Sequence, residues 1–153
     1  MRYLIGIGNY TLGDDGIGLQ LIEHIARENL DRNFQAIDLS DDGTRLLNFF
    51  EEGTERILLV DCVQANRKPG DFFFFKPDDV ESEKLLGRMT THEGDILKVI
   101  QLGKQLGYPQ PPLLIMGIEP ESMKTGDMQL STVLRERFPE YLAAALEKLE
   151  QGW

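Results

Sequence analysis

One cysteine and two histidines stand in 153 residues. With Cys62 alone no intrachain disulfide can form, which fits a reducing compartment and makes a cytoplasmic location the expectation. Basic residues are scarce as well: 16 Lys and Arg face 26 Asp and Glu, for a formal net charge of −10. Nucleic acid and anionic membrane surfaces both select basic patches, so neither is an expected partner. Long hydrophobic runs are missing. No window reaches the ~20 apolar residues a membrane helix needs. The first apolar run, Tyr3 to Ile7, is strand-sized and stops at Gly8, so no signal peptide is expected. Repeats and low-complexity tracts are absent too. The length suits one domain over 1–153, and a monomer is the expected state.

Several chemical signatures are also lacking. There is no Walker A pattern and no G-x-S-x-G elbow, and Cys62 has no histidine beside it in the chain. Gly6-Ile7-Gly8-Asn9-Tyr10-Thr11 begins like a dinucleotide-binding G-x-G-x-x-G but has no third glycine. Asp14 and Asp15 stand where a pyrophosphate would sit, and two carboxylates there repel it.

What is present alternates. Tyr3–Ile7, Phe34–Leu39, Arg56–Asp61, Asp71–Lys76 and Leu113–Ile118 read as strands. Asp71–Lys76 follows the third strand by a short turn and is expected antiparallel to its neighbour, with its four phenylalanines covered. Helical spacing runs from Asp14 to about Leu30, over Ile17, Leu21 and Ile25, with Asp14 or Asp15 as the cap. A short helix is expected from Arg45 to Glu51, and Pro77–Leu86 reads as loop or a short helical piece. Another helix runs to Leu106, opened by a Thr90/Glu93 capping box and carrying Ile96, Val99, Ile100 and Leu106. The last helix has Leu134, Phe138, Leu142, Ala145 and Leu149 on one face, and Pro139 should break or restart it. Alternation of this kind implies an α/β three-layer αβα sandwich around a five-stranded, mostly parallel twisted sheet with one antiparallel strand.

In such a sheet, ligands gather outside the carboxyl ends of the strands. Asn9, Asp14 and Asp15 follow strand one. Asp38, Asp41 and Asp42 follow strand two, and Asp61 ends strand three. Acids converging on one rim invite a cation, although any one of them taken alone reads better as a cap or a strand end. His92 falls in the first turn of its helix, where the dipole favours neutral imidazole, a metal ligand or proton acceptor. It also lies four residues before Ile96, on the buried stripe. His24, mid-helix among charged neighbours, is given no role. Asp15, Asp61 and His92 together would supply two hard oxygens and one imidazole, a set suited to a first-row divalent ion such as Ni or Zn.

These residues resemble a known family, the hydrogenase maturation endopeptidases. Gly6-Ile7-Gly8-Asn9 followed by Gly13-Asp14-Asp15-Gly16-Ile17-Gly18 is similar to the signature G-x-G-N-x-x-x-x-D-[DE]-x-x-G. Leu58-Leu59-Val60-Asp61, Thr90-Thr91-His92 and Gly117-Ile118-Glu119-Pro120 resemble the later family segments, and the match runs from residue 2 to about 149. Met89-Thr90-Thr91-His92 looks most like the formate-hydrogenlyase-type subgroup. The resemblance implies an endopeptidase that trims the C-terminal extension of a nickel-iron hydrogenase large-subunit precursor once nickel is inserted. It places metal contact and catalysis on Asp15, Asp61 and His92. The nickel comes with the substrate, and Zn or Cd could occupy the same position. The loop Asp41-Asp42-Gly43-Thr44, where relatives read D-G-G-T or a close variant, implies substrate recognition by Asp42, Gly43 and Thr44, alongside Asn9. With the metal trio thus assigned, Asp14 is left as the helix cap.

Overall fold

Continuous apolar runs at both ends of the chain's order become the buried middle of one sheet. The computed structural model describes residues 1–80 and 91–153, without the side chains of 91–94. The strands are β1 (Arg2–Gly6), β2 (Gln35–Asp38), β3 (Arg56–Cys62), β4 (Phe72–Phe75) and β5 (Leu113–Ile118). They lie in the order β2-β1-β3-β5-β4. Pairing is parallel throughout except β4 with β5. Among the described residues the α-helices are α1 (Ile17–Arg27), α2 (Thr91–Gln105) and α3 (Thr132–Gln151).

Alternation along the strands splits the core in two. Leu4, Leu58, Val60 and Met116 face Ile17, Leu21 and Ile25 of α1 and Tyr141, Ala145 and Leu149 of α3. Ile5, Leu59 and Ile115 face the other way, onto Ile96 and Val99 of α2 and onto Leu46. Helices thus cover both faces, giving the expected α/β three-layer arrangement with one antiparallel strand.

Several local expectations are corrected. β4 is antiparallel, but its partner is β5 rather than the preceding β3; it forms the sheet edge, and three of its four phenylalanines are only half-buried. The Arg45–Glu51 helix is a 3-10 stretch, Gly43–Phe49, with Leu46 alone fully buried. So few residues do not offset the cost of nucleating an α-helix. Pro77–Val80 is likewise 3-10, and the rest of that expected piece lies outside the described residues, as does Thr90.

α1 ends earlier than its spacing implies because Asn29 turns left-handed (φ 52°). The Leu30 amide then reaches the Ile25 carbonyl (3.0 Å) and the Asn29 amide the Ala26 carbonyl (3.3 Å), a Schellman closure. α2 stops before Leu106, which is 62% exposed, as Gly107 takes φ 79°.

Pro139 does not break α3, which runs unbroken from 132 to 151. The carbonyl it leaves without a helical donor belongs to Arg135, and both residues are exposed, so that side of the helix is open to solvent. Tyr141 rather than Phe138 or Leu142 is the buried aromatic anchor of that helix.

Candidate active site

The turn after β1 is built by close approach. Gly8 sits at φ 149°, and a Cβ there would lie 2.0 Å from the Asp15 carbonyl oxygen. A Cβ on Gly18 would lie 2.5 Å from the Val60 carbonyl oxygen. Glycine at both positions lets the start of α1 press onto the carboxyl ends of β1 and β3. Between them the chain makes a 3-10 turn, Gly13–Gly16, that packs against β3 and whose four residues are all buried.

The two adjacent acids in that turn point to different tasks, and neither caps α1. Its N-cap is Gly16, with no side-chain cap bond. The Asp14 carboxylate instead accepts from the amides of Glu121 (2.8 Å), Ser122 (3.0 Å) and Ser131 (2.7 Å) and from the Ser131 hydroxyl (2.8 Å). Backbone bonds join the same two loops: Asp14 amide to Ser122 carbonyl (2.9 Å), Gly13 amide to Asp127 carbonyl (2.7 Å) and Gly126 amide to Thr11 carbonyl (2.7 Å). Asp14 is therefore a tie between the turn and the segment after β5, corrected from its expected role as helix cap. A buried carboxylate is tolerable when it accepts this many bonds.

Asp15 is 1% exposed, and its Oδ2 accepts the Asn9 amide (2.9 Å). Asn9 in turn folds its own loop, its Oδ1 accepting from the Thr11 amide (2.9 Å) and hydroxyl (2.7 Å). Asp61 is fully buried near the end of β3, level with Gly117 of β5. Its strand neighbours Leu59 and Val63 face α2, so Asp61 faces the same layer. His92 lies in the first turn of that helix, and its side chain is outside the described residues, as is its expected place on a buried stripe. One turn further on, Ile96 meets the loop after β2: a Cβ on Gly43 would lie 2.8 Å from Ile96 Cδ1. Asp42 and Thr44 are exposed there, the threonine hydroxyl donating to Asp42 Oδ1 (2.5 Å).

Asp38, at the end of β2, closes its own loop. Asp38 Oδ1 accepts the Ser40 amide (2.7 Å) and hydroxyl (3.0 Å). Tyr10 closes one side of the turn, donating to the Leu19 carbonyl (3.3 Å). Burial, then the charges of Asp38 and Glu23, push its phenol up to about 12, so it stays a protonated donor at neutral pH. Among the described residues, no three His, Cys, Asp or Glu side chains form a group that could hold a metal. Asp15 and Asp61 are two of the buried carboxylates at this rim, brought there by the turn after β1 and by the end of its sheet neighbour β3.

Residues 19–148 match the profile of the hydrogenase maturation protease family. The chain belongs to that family. It is 26% identical over 151 residues to the hydrogenase expression/formation protein HupD of Rhodobacter capsulatus, covering 98% of this chain and 71% of that protein. It is 28% identical over 160 residues to the HoxM protein of Cupriavidus necator, covering 99% and 72%. The [NiFe] hydrogenase maturation protease HybD from Thermococcus kodakarensis superposes with a TM-score of 0.75 at 25% identity, over 96% of this chain and 98% of that one. The E. coli hydrogenase maturating endopeptidase HybD shares the fold, with a TM-score of 0.79 at 19% identity over 99% and 93%. As a hydrogenase maturation protease the chain is a hydrolase, and no helix among the described residues is long and apolar enough to cross a membrane.

Motif reading had separated Asp15 and Asp61 from the other acids but missed the partners of Asp14 and the buried Glu119. That residue's Oε2 accepts the Ala65 amide (2.8 Å) and so holds the loop after β3. Nothing local marks either contact, since their partners lie 107 to 117 and 54 residues away.

Proposed function

We propose that this protease removes the C-terminal extension of a nickel-iron hydrogenase large-subunit precursor after nickel insertion, and that the inserted nickel is its recognition signal. Asp15, Asp61 and His92 contact that metal. The observation that carries the reading is the delivery of two buried carboxylates, Asp15 and Asp61, to one rim, with Asp61 facing the layer of α2, whose first turn holds His92.

The donor set suits the ion. Two carboxylate groups and an imidazole match the ligand preference of Ni or Zn, and Zn or Cd would bind at the same position. The metal is part of the substrate, which makes the protease blind to a precursor that lacks it. Bound there, nickel supplies Lewis acidity at the scissile carbonyl. The chain's own contribution is to hold one carboxylate beside the attacking water as proton acceptor and to keep that water in a fixed position. Asn9 fixes Asp15 through its amide, and Asp42, Gly43 and Thr44 form the lip that meets the precursor. The chain works as a monomer in the cytoplasm, where the precursor matures.

Single substitutions test the assignment. Asp15→Asn, Asp61→Asn and His92→Ala should each stop shortening of the nickel-loaded precursor, followed by its size, while circular dichroism stays that of the parent. Full processing by any of the three would remove that residue from the site.

A further inference from the structure

The connection from β3 to β4 stands on the carboxyl rim and carries two exposed cations, Arg67 and Lys68, in a chain of net charge −10. Arg67 is held: its Cζ lies 4.0 Å over the ring of Phe73. It makes no ion pair among the described residues. Register explains where this places it. Asp61 of β3 is level with Gly117 of β5, and Gly117 with Phe73 of β4. All three lie on the sheet face toward α2. A Cβ on Gly117 would lie 3.0 Å from Phe73 Cζ, so the ring leans over the glycine toward β3. Two strand spacings separate Asp61 from Phe73, about 10 Å, which is the length of about three residues of extended chain.

We propose that Arg67 is a specificity-determining residue that takes a carboxylate of the substrate's extension about three residues beyond the scissile bond. The inference rests on the proposed function, which puts the cut beside Asp61. Asp15 lies on the β1 side of Asp61 and Arg67 on the β4 side. A substrate whose nickel-bearing part is held at Asp15 and Asp61 therefore runs its extension toward Arg67. A guanidinium stacked on a ring is pre-oriented, keeps its donors outward, and pairs with a carboxylate through two parallel bonds. Lysine cannot reproduce that fork.

The test is steady-state processing of nickel-loaded precursor by the parent enzyme and by Arg67→Glu, Arg67→Lys and Gly117→Ala. Arg67→Glu should raise KM at least tenfold, with the loss falling on KM rather than kcat. Arg67→Lys should give an intermediate KM, and Gly117→Ala, whose Cβ would press on both Phe73 and Val63, a smaller rise. Two altered precursors identify the source of the carboxylate: one with the acidic side chains of the extension changed to amides, one with its terminus lengthened by five neutral residues. Whichever raises the parent enzyme's KM and abolishes the further effect of Arg67→Glu carries the group. An unchanged KM for Arg67→Glu, or no effect of either altered precursor, overturns the proposal. If the parent enzyme leaves the precursor uncut, it is the proposed function that fails.

Discussion

Asp14 and Asp15 are neighbours with the same side chain and opposite consequences. Asp14 holds four donors from a segment more than a hundred residues away. In Asp14→Asn the new amide N–H groups would face backbone N–H groups and the charge would be lost, so about 2–4 kcal/mol of stability should go, read from urea unfolding. Ser131→Ala removes one hydroxyl donor and keeps the amide, and should cost about 1 kcal/mol. A cost of that size for both variants would mean that Asp14 does little to tie the two loops. The adjacent pair was visible in sequence as unusual, and Asp15 was separable from it by motif. Asp14 was misread as a cap because capping is a local expectation and its true partners are remote.

At the level of elements, α3 carries both the fold's main exception and its main anchor. Proline in a helix interior lacks a donor and crowds the preceding turn, at a cost of roughly 3 kcal/mol. Here the exposed side of the helix absorbs it. Pro139→Ala should therefore raise the melting temperature by several degrees, since it restores the bond to the Arg135 carbonyl without disturbing the buried face; a fall would show that the ring packs usefully. Tyr141 anchors the β3–β4 connection: its hydroxyl donates to the Gly70 carbonyl (2.6 Å), a group that also receives Arg137 Nη1 (2.7 Å). Burial is the first cause that pushes the Tyr141 phenol from 10.0 to about 12. Between those values the unfolded chain binds fewer protons than the folded one, so stability is intact below pH 10 and falls as pH rises toward 12. Tyr141→Phe should flatten part of that decline in melting scans, leaving the share due to Tyr10 and Tyr3, whose phenols are also raised, and an unchanged slope would contradict the assignment. Strand limits were legible to within a residue or two because apolar runs are local. The β4 partner was not, because the choice between β3 and β5 depends on which edge is left once the long parallel strand is placed between them.

On the scale of the whole molecule, three parallel strands bring residues from distant parts of the chain to one rim. Gly8 and Gly18 let the first turn and α1 come close enough to bury Asp15 and Asp61 there. Legibility of the site followed the same division. The burial of Asp61 at a strand end was legible because it closes an apolar run, and Asp15, nine residues past β1, was picked out by motif. Arg67 could not, because its importance comes from Phe73 reaching over Gly117, a relation of register across three strands. Family membership fixes the kind of activity; selectivity through a metal on the substrate belongs to the proposed function. The most direct test is to incubate the protein with nickel-loaded and nickel-free large-subunit precursor and follow precursor size. Shortening of the nickel-loaded form alone, lost in Asp15→Asn, is the predicted result. Equal shortening of both forms, or binding of the loaded form without cleavage, would contradict the account.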